Sequence, residues 1–138
     1  MMKLVKVYLL SIPLFLLLDY LWLGNIMAGF YREGLGTLAR RSGDAIAPLP
    51  WATVLVYLLI PLGIVLFALP RTSAESPLLS GLLWGFLYGV TLYGVYDMTN
   101  LSVLEKWPVK MALVDIVWGG VICAIVTCFA AVLHGRLK

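Results

Sequence analysis

The sequence predicts an all-α fold, an integral membrane bundle of four transmembrane helices with one long loop between the first and second. Three observations lead there. Of 138 residues, 62% are hydrophobic and 12% charged, about half the charged fraction of roughly 25% found in soluble domains. The apolar residues gather into four runs, each long enough to supply the roughly 20 residues of helix that cross a bilayer. The runs are apolar on all sides, which argues against helices lying flat in the interface and against a small aqueous core. The chain therefore reads as a single transmembrane domain.

The first span runs from about Leu4 to Met27. Its start, Met1-Met2-Lys3-Leu4-Val5-Lys6, resembles a signal peptide. The run is too long for one, carries Asp19 and Trp22, and lacks a small-residue cleavage site, so a retained helix is expected. The second span covers Trp51 to Leu69, the third Leu78 to Asn100, and the fourth Pro108 to Leu133. Pro13 and Pro61 each remove a backbone donor inside a span and predict kinks. Gly81, Gly85 and Gly89 recur every four residues on the third span, a ladder that lets another helix approach closely. Trp51, Trp84 and Trp107 fall near span ends, where indoles favour the interface.

The 70–77 connection is a short polar turn and the 101–107 connection is shorter still. The 28–50 connection is long and glycine-rich, with room for a short helix or a lid. Positive charge does not fix orientation. Lys3, Lys6, Arg71, Arg136 and Lys138 lie on the side of the termini, and Arg32, Arg40, Arg41, Lys106 and Lys110 on the other, five against five. The former lie closer to the helix ends and slightly favour cytoplasmic termini.

Several chemistries are disfavoured. Basic residues stand singly or in pairs at the ends of apolar runs, which is no nucleic-acid footprint. Cys123 and Cys128 share one helix, and five residues turn it about 500°, so the two thiols point about 140° apart. His134 is the single histidine, which argues against a zinc site. No metal is expected, and no cofactor is implied.

Three acidic residues fall within the spans, and all are aspartates: Asp19, Asp97 and Asp115. Each opposes insertion by about 2.5–3.5 kcal/mol near a helix centre. At 1.5 Å per residue they lie roughly 12, 5 and 10 Å from the helix ends on the long-loop side, in the same half of the membrane. Tyr93, Asp97 and Asn100 share a face of the third span at i, i+4 and i+7. Asp19-x-x-Trp22-x-Gly24 and Asp115-x-x-Trp118-x-Gly120 repeat one pattern on the first and fourth spans, giving each acid an aromatic wall on its own helix. Lys110 points about 140° away from Asp115 and does not neutralise it. Close, desolvated carboxyls should share protons, as in carboxylate dyads. The expected site is a pocket open towards the long loop.

The stretches Asp19-Tyr20-Leu21-Trp22-Leu23-Gly24, Phe30-Tyr31-Arg32 and Tyr93-Gly94-Val95-Tyr96-Asp97-Met98-Thr99-Asn100-Leu101, with Trp107-Pro108 and Asp115-Ile116-Val117-Trp118-Gly119, make the chain resemble domain-of-unknown-function family 2177, small bacterial membrane proteins. The resemblance covers nearly the whole chain. It implies four helices and the bacterial inner membrane, and it carries no established activity. The second span departs from the pattern: Pro50-Trp51-Ala52 and Tyr57 stand where the family places Pro-Ala and a Phe-Tyr pair, so the resemblance gives that span no role.

Three functions compete. The first is binding or transport of a small cationic or polar ligand with proton coupling, through Asp19, Trp22, Tyr93, Asp97, Asn100, Asp115 and Trp118, with a homodimer needed to enclose a wide path. The second is a membrane enzyme acting on a lipid or isoprenoid, with Asp97 or Asp115 as general acid or base, Tyr93 and Asn100 orienting the substrate, and Tyr31, Arg32, Arg40 and Arg41 forming a lid or holding an anionic headgroup. The third is a structural or accessory subunit that docks a partner on the Gly81/Gly85/Gly89 face. Membrane lipid is a partner under all three.

Overall fold

The computed structural model describes residues 1–137; Lys138, counted above among the charges near the termini, lies outside them. Among the described residues, four helices are long and apolar enough to cross a membrane: Met2–Ile26, Pro50–Arg71, Pro77–Val103 and Val109–Arg136.

Helix α1 (Met2–Leu21) runs through Pro13 and ends in a π-helical turn, Trp22–Ile26. A second short helix, α2 (Ala28–Leu35), follows at once and closes at Gly36, whose φ of 48° suits a residue without a Cβ. The long loop then forms a two-stranded hairpin, β1 (Arg41–Ser42) with β2 (Ala45–Ile46), paired Arg41 to Ile46 and Ser42 to Ala45. Its turn uses Gly43 at φ 59°.

Helix α3 (Pro50–Gly63) opens with proline in its first turn, where no donor is lost. It passes through Pro61 into a π-helical turn, Ile64–Ala68, and a short 3-10 turn, Leu69–Arg71. The two π-helical turns begin nine residues after Pro13 and three after Pro61. A proline removes a single donor, and the flanking turns stay helical around it. Helices α4 (Pro77–Val103) and α5 (Val109–Arg136) complete the bundle.

The glycine ladder explains how α4 and α5 pair. A Cβ on Gly81 would meet the Cys128 backbone at 2.9 Å, and one on Gly85 would meet Thr127 Oγ1 at 2.6 Å and the Ala124 backbone at 2.7 Å. On Gly89 it would strike the Gly119 backbone. The contacts ascend α4 as they descend α5, so the pair is antiparallel and tightly seated. The ladder that the sequence offers as a face for a partner protein is therefore filled by the chain's own last helix.

Around this pair the interior forms three clusters. Val7, Val65, Leu69, Ala130 and Ala131 fill the end near the termini. Phe15, Ile64, Ile122, Cys123 and Val126 fill the middle. Tyr31, Trp107, Met111 and Ala112 close the long-loop end. Leu9, Leu17, Leu59, Phe67 and Val117 are exposed on the outside, the lipid-facing surface of a membrane bundle.

Candidate functional site

The three intramembrane aspartates come to the long-loop half of the bundle, each from a different helix. Asp19 on α1 is buried, Asp97 on α4 is fully buried, and Asp115 on α5 is half-buried. Their partners are neutral donors. Tyr57 on α3 donates its hydroxyl to Asp19 Oδ2 at 2.8 Å. Trp118 Nε1 donates to Asp19 Oδ1 at 3.1 Å. Tyr31 donates to Asp115 Oδ1 at 2.6 Å, and Trp22 Nε1 donates to the Tyr31 oxygen at 3.3 Å. Trp107 Nε1 donates to Asp97 Oδ1 at 3.3 Å.

Two features of this network differ from the sequence expectation. Each tryptophan of the repeated Asp-x-x-Trp pattern serves the aspartate of the other helix, Trp118 directly and Trp22 through Tyr31. The cause is the stacking of Trp22 on Trp118, with centroids 4.3 Å apart and planes 5° from parallel, which locks α1 and α5 so that their indoles cross. The other difference is Tyr31. Expected at a headgroup or lid, it is buried because the tight turn after α1 folds α2 back onto the bundle. Burial first, and the Asp115 hydrogen bond second, hold the Tyr31 phenol well above its usual range, so it remains a donor at neutral pH.

Asp97 and Asp115 lie within hydrogen-bonding reach of each other. Asp97 Oδ2 is buried and receives no donor. Two carboxyl groups form a hydrogen bond with each other only when a proton lies between them.

Tyr93 packs its ring on Gly119 and stands within electrostatic range of Asp19 and Asp115. Asn100 lies beside Tyr96 and outside the carboxyl network. Arg32 on α2, Arg40 before the hairpin and Arg41 on β1 are all exposed. Arg41 is spent on its own backbone, donating to the Arg32 and Gly36 carbonyls at 2.9 and 3.0 Å and closing the C-terminal end of α2. Arg32 and Arg41 line a cleft of about 510 Å³ together with Glu33 and Asp44, so an anionic headgroup there would meet both signs of charge. Among the described residues no group of three or more His, Cys, Asp or Glu side chains is arranged to hold a metal ion.

Two members of the network escaped the sequence reading. Trp107 looked like an interfacial anchor because it sits at a span end, yet the short connection before α5 turns its indole inward. Tyr57 lies on the span that departs from the family pattern, and nothing in its surroundings marks it beyond being a polar group in an apolar run.

A family model described as "Predicted membrane protein (DUF2177)" matches residues 4–132. No curated protein and no solved structure matches the chain.

Proposed function

The chain belongs to the DUF2177 family of predicted membrane proteins, and we propose that its carboxyl network is a proton-exchanging site that binds a small cationic or polar ligand within the bilayer. The observation that carries this reading is the Asp97 carboxyl, whose buried Oδ2 has no donor and which lies within hydrogen-bonding reach of Asp115. In a desolvated site, two facing carboxylates need either a shared proton or a cation. The donors around the three acids are tyrosines and tryptophans, which orient the oxygens and leave the negative charge uncompensated. A cation that enters therefore displaces a proton. The Trp22 and Trp118 rings and the Tyr93 ring border the acids, and aromatic faces beside carboxyls suit an organic cation. Transport follows if a second copy completes the path, since one four-helix bundle encloses little space. The lipid-enzyme reading draws on the same carboxyls and adds no observation of its own.

The test is infrared difference spectroscopy of the purified protein at neutral pH, paired with proton release on adding tetramethylammonium, guanidinium or tetraphenylphosphonium. A protonated-carboxyl band that disappears in Asp97→Asn and falls on cation addition, with release of up to one proton per chain, is the expected result. A parent protein without that band would sink the proposal.

A further inference from the structure

We propose a second site, independent of the carboxyl network, at the opposite end of the bundle: a cleft that holds one anionic phospholipid by its phosphate. The cleft has a volume of about 650 Å³ and lies between the start of α1, the turn after α3 and the end of α5. Leu4, Leu69 and Val132 form its apolar wall, and Thr72, His134 and Arg136 its polar rim. Lys3 stands within electrostatic range of His134.

The placement decides the occupant. Leu4 lies in the first turn of α1, and His134 and Arg136 lie in the last turn of α5. The rim therefore meets the membrane at headgroup depth while the wall continues into the hydrocarbon. Arg71, the remaining arginine at this end, is engaged over the Trp84 ring at 5.2 Å. Arg136 and His134 line the cleft, and Lys3 lies within electrostatic range of His134. Basic groups above an apolar wall complement a molecule with a negative head and a hydrocarbon tail. A soluble anion would use the rim and waste the wall, and a zwitterionic lipid would bring a second cation against the rim.

The experiment uses the full chain in detergent micelles, titrated with phosphatidylglycerol, phosphatidylcholine or inorganic phosphate and read by native mass spectrometry. One phosphatidylglycerol per chain should be retained in clear preference to phosphatidylcholine. Arg136→Gln should weaken retention about fivefold, the effect of one basic residue at a membrane surface, and adding His134→Gln should weaken it further. Arg136→Lys should restore it. Val132→Trp, which fills the wall without changing charge, should also exclude the lipid. Melting of each variant without lipid checks that the bundle is intact. Equal retention of both lipids, or unchanged retention in Arg136→Gln/His134→Gln, overturns the proposal. Displacement of the lipid by inorganic phosphate would assign the rim to a free anion and overturn it equally.

Discussion

At the end near the termini, α1, the helical turns after α3, and α5 meet through Val7, Val65, Leu69, Ala130 and Ala131, side chains that fill space and ask nothing of direction. At the long-loop end, the helices also meet through Asp19, Tyr57, Trp118, Asp97 and Trp107, which are joined by directed hydrogen bonds. One bundle thus contains two kinds of helix contact. Lipid gives little drive for apolar helices to associate, so the first kind depends on close approach. The α4–α5 glycine seam supplies it along the bundle's length. The second kind adds little stability per bond, about 0.6 kcal/mol on average in a bilayer, while holding three acids that oppose insertion. Packing supports the fold, and the polar half draws on that support.

If so, the largest effect belongs to the seam. Gly89→Val drives a branched side chain into the Gly119 backbone, which cannot move aside as a side chain can. Overpacking typically destabilises by about 1–3 kcal/mol, and a backbone obstacle should bring the change to about 3 kcal/mol or more. Thermal unfolding in detergent reads it. Gly94→Ala is the control, since nothing lies within 4 Å of its added Cβ, and it should leave the melting point unchanged or raise it. A Gly89→Val protein that melts like the parent would dissolve the contrast between the halves.

The next effect should come from Asp19→Ala. It strands the Tyr57 hydroxyl and the Trp118 indole N–H together, and an unsatisfied buried donor costs about 1–3 kcal/mol. An unchanged melting point would mean that both donors find other partners, and that the network is replaceable.

What the sequence reveals differs between the halves for the same physical reason. Four spans are legible because the bilayer imposes a length and a polarity that composition alone displays. The three aspartates are legible because lipid makes each one an exception, and depth along a helix follows from counting residues. The glycine ladder announces a close approach, although spacing does not say which helix comes near. Partner choice across helices escapes the sequence. The crossing of Trp22 and Trp118 depends on how α1 and α5 are rotated against each other. The entry of Tyr31 depends on the π-helical turn and the fold-back of α2. Tyr57 and Trp107 are recruited by that same geometry, so neither carries a local signature.

Tyr31→Phe should have a smaller effect, about 1 kcal/mol for the loss of its hydrogen bond to Asp115. Its pH dependence sharpens the assignment. The folded protein holds the phenol above its unfolded value of 10.0. The contribution is therefore complete below pH 10 and falls away as pH rises beyond it, because the unfolded chain ionises first. Melting points of the parent and Tyr31→Phe should differ by a constant amount from neutral pH to about pH 9 and converge above pH 10. A difference that stays constant into strong alkali would place the stabilisation in the packing of the ring.

The smallest change in stability is expected where the functional change is greatest. In Asp97→Asn the amide oxygen can accept from Trp107, and the amide nitrogen, in place of the Oδ2 that has no donor, can donate to Asp115 within its reach. Asparagine here copies the protonated acid permanently. The variant should melt within about 0.5 kcal/mol of the parent, or above it, since a group held for function opposes stability. Proton exchange should be lost in the same sample. Asp19→Ala takes the acceptor away from two donors, whereas Asp97→Asn replaces the oxygen that has no donor with an amide nitrogen able to donate, so the first should lower stability and the second leave it unchanged or raise it. If Asp97→Asn melts as far below the parent as Asp19→Ala, the Asp97–Asp115 contact is not a shared proton, and both acids are interhelical supports.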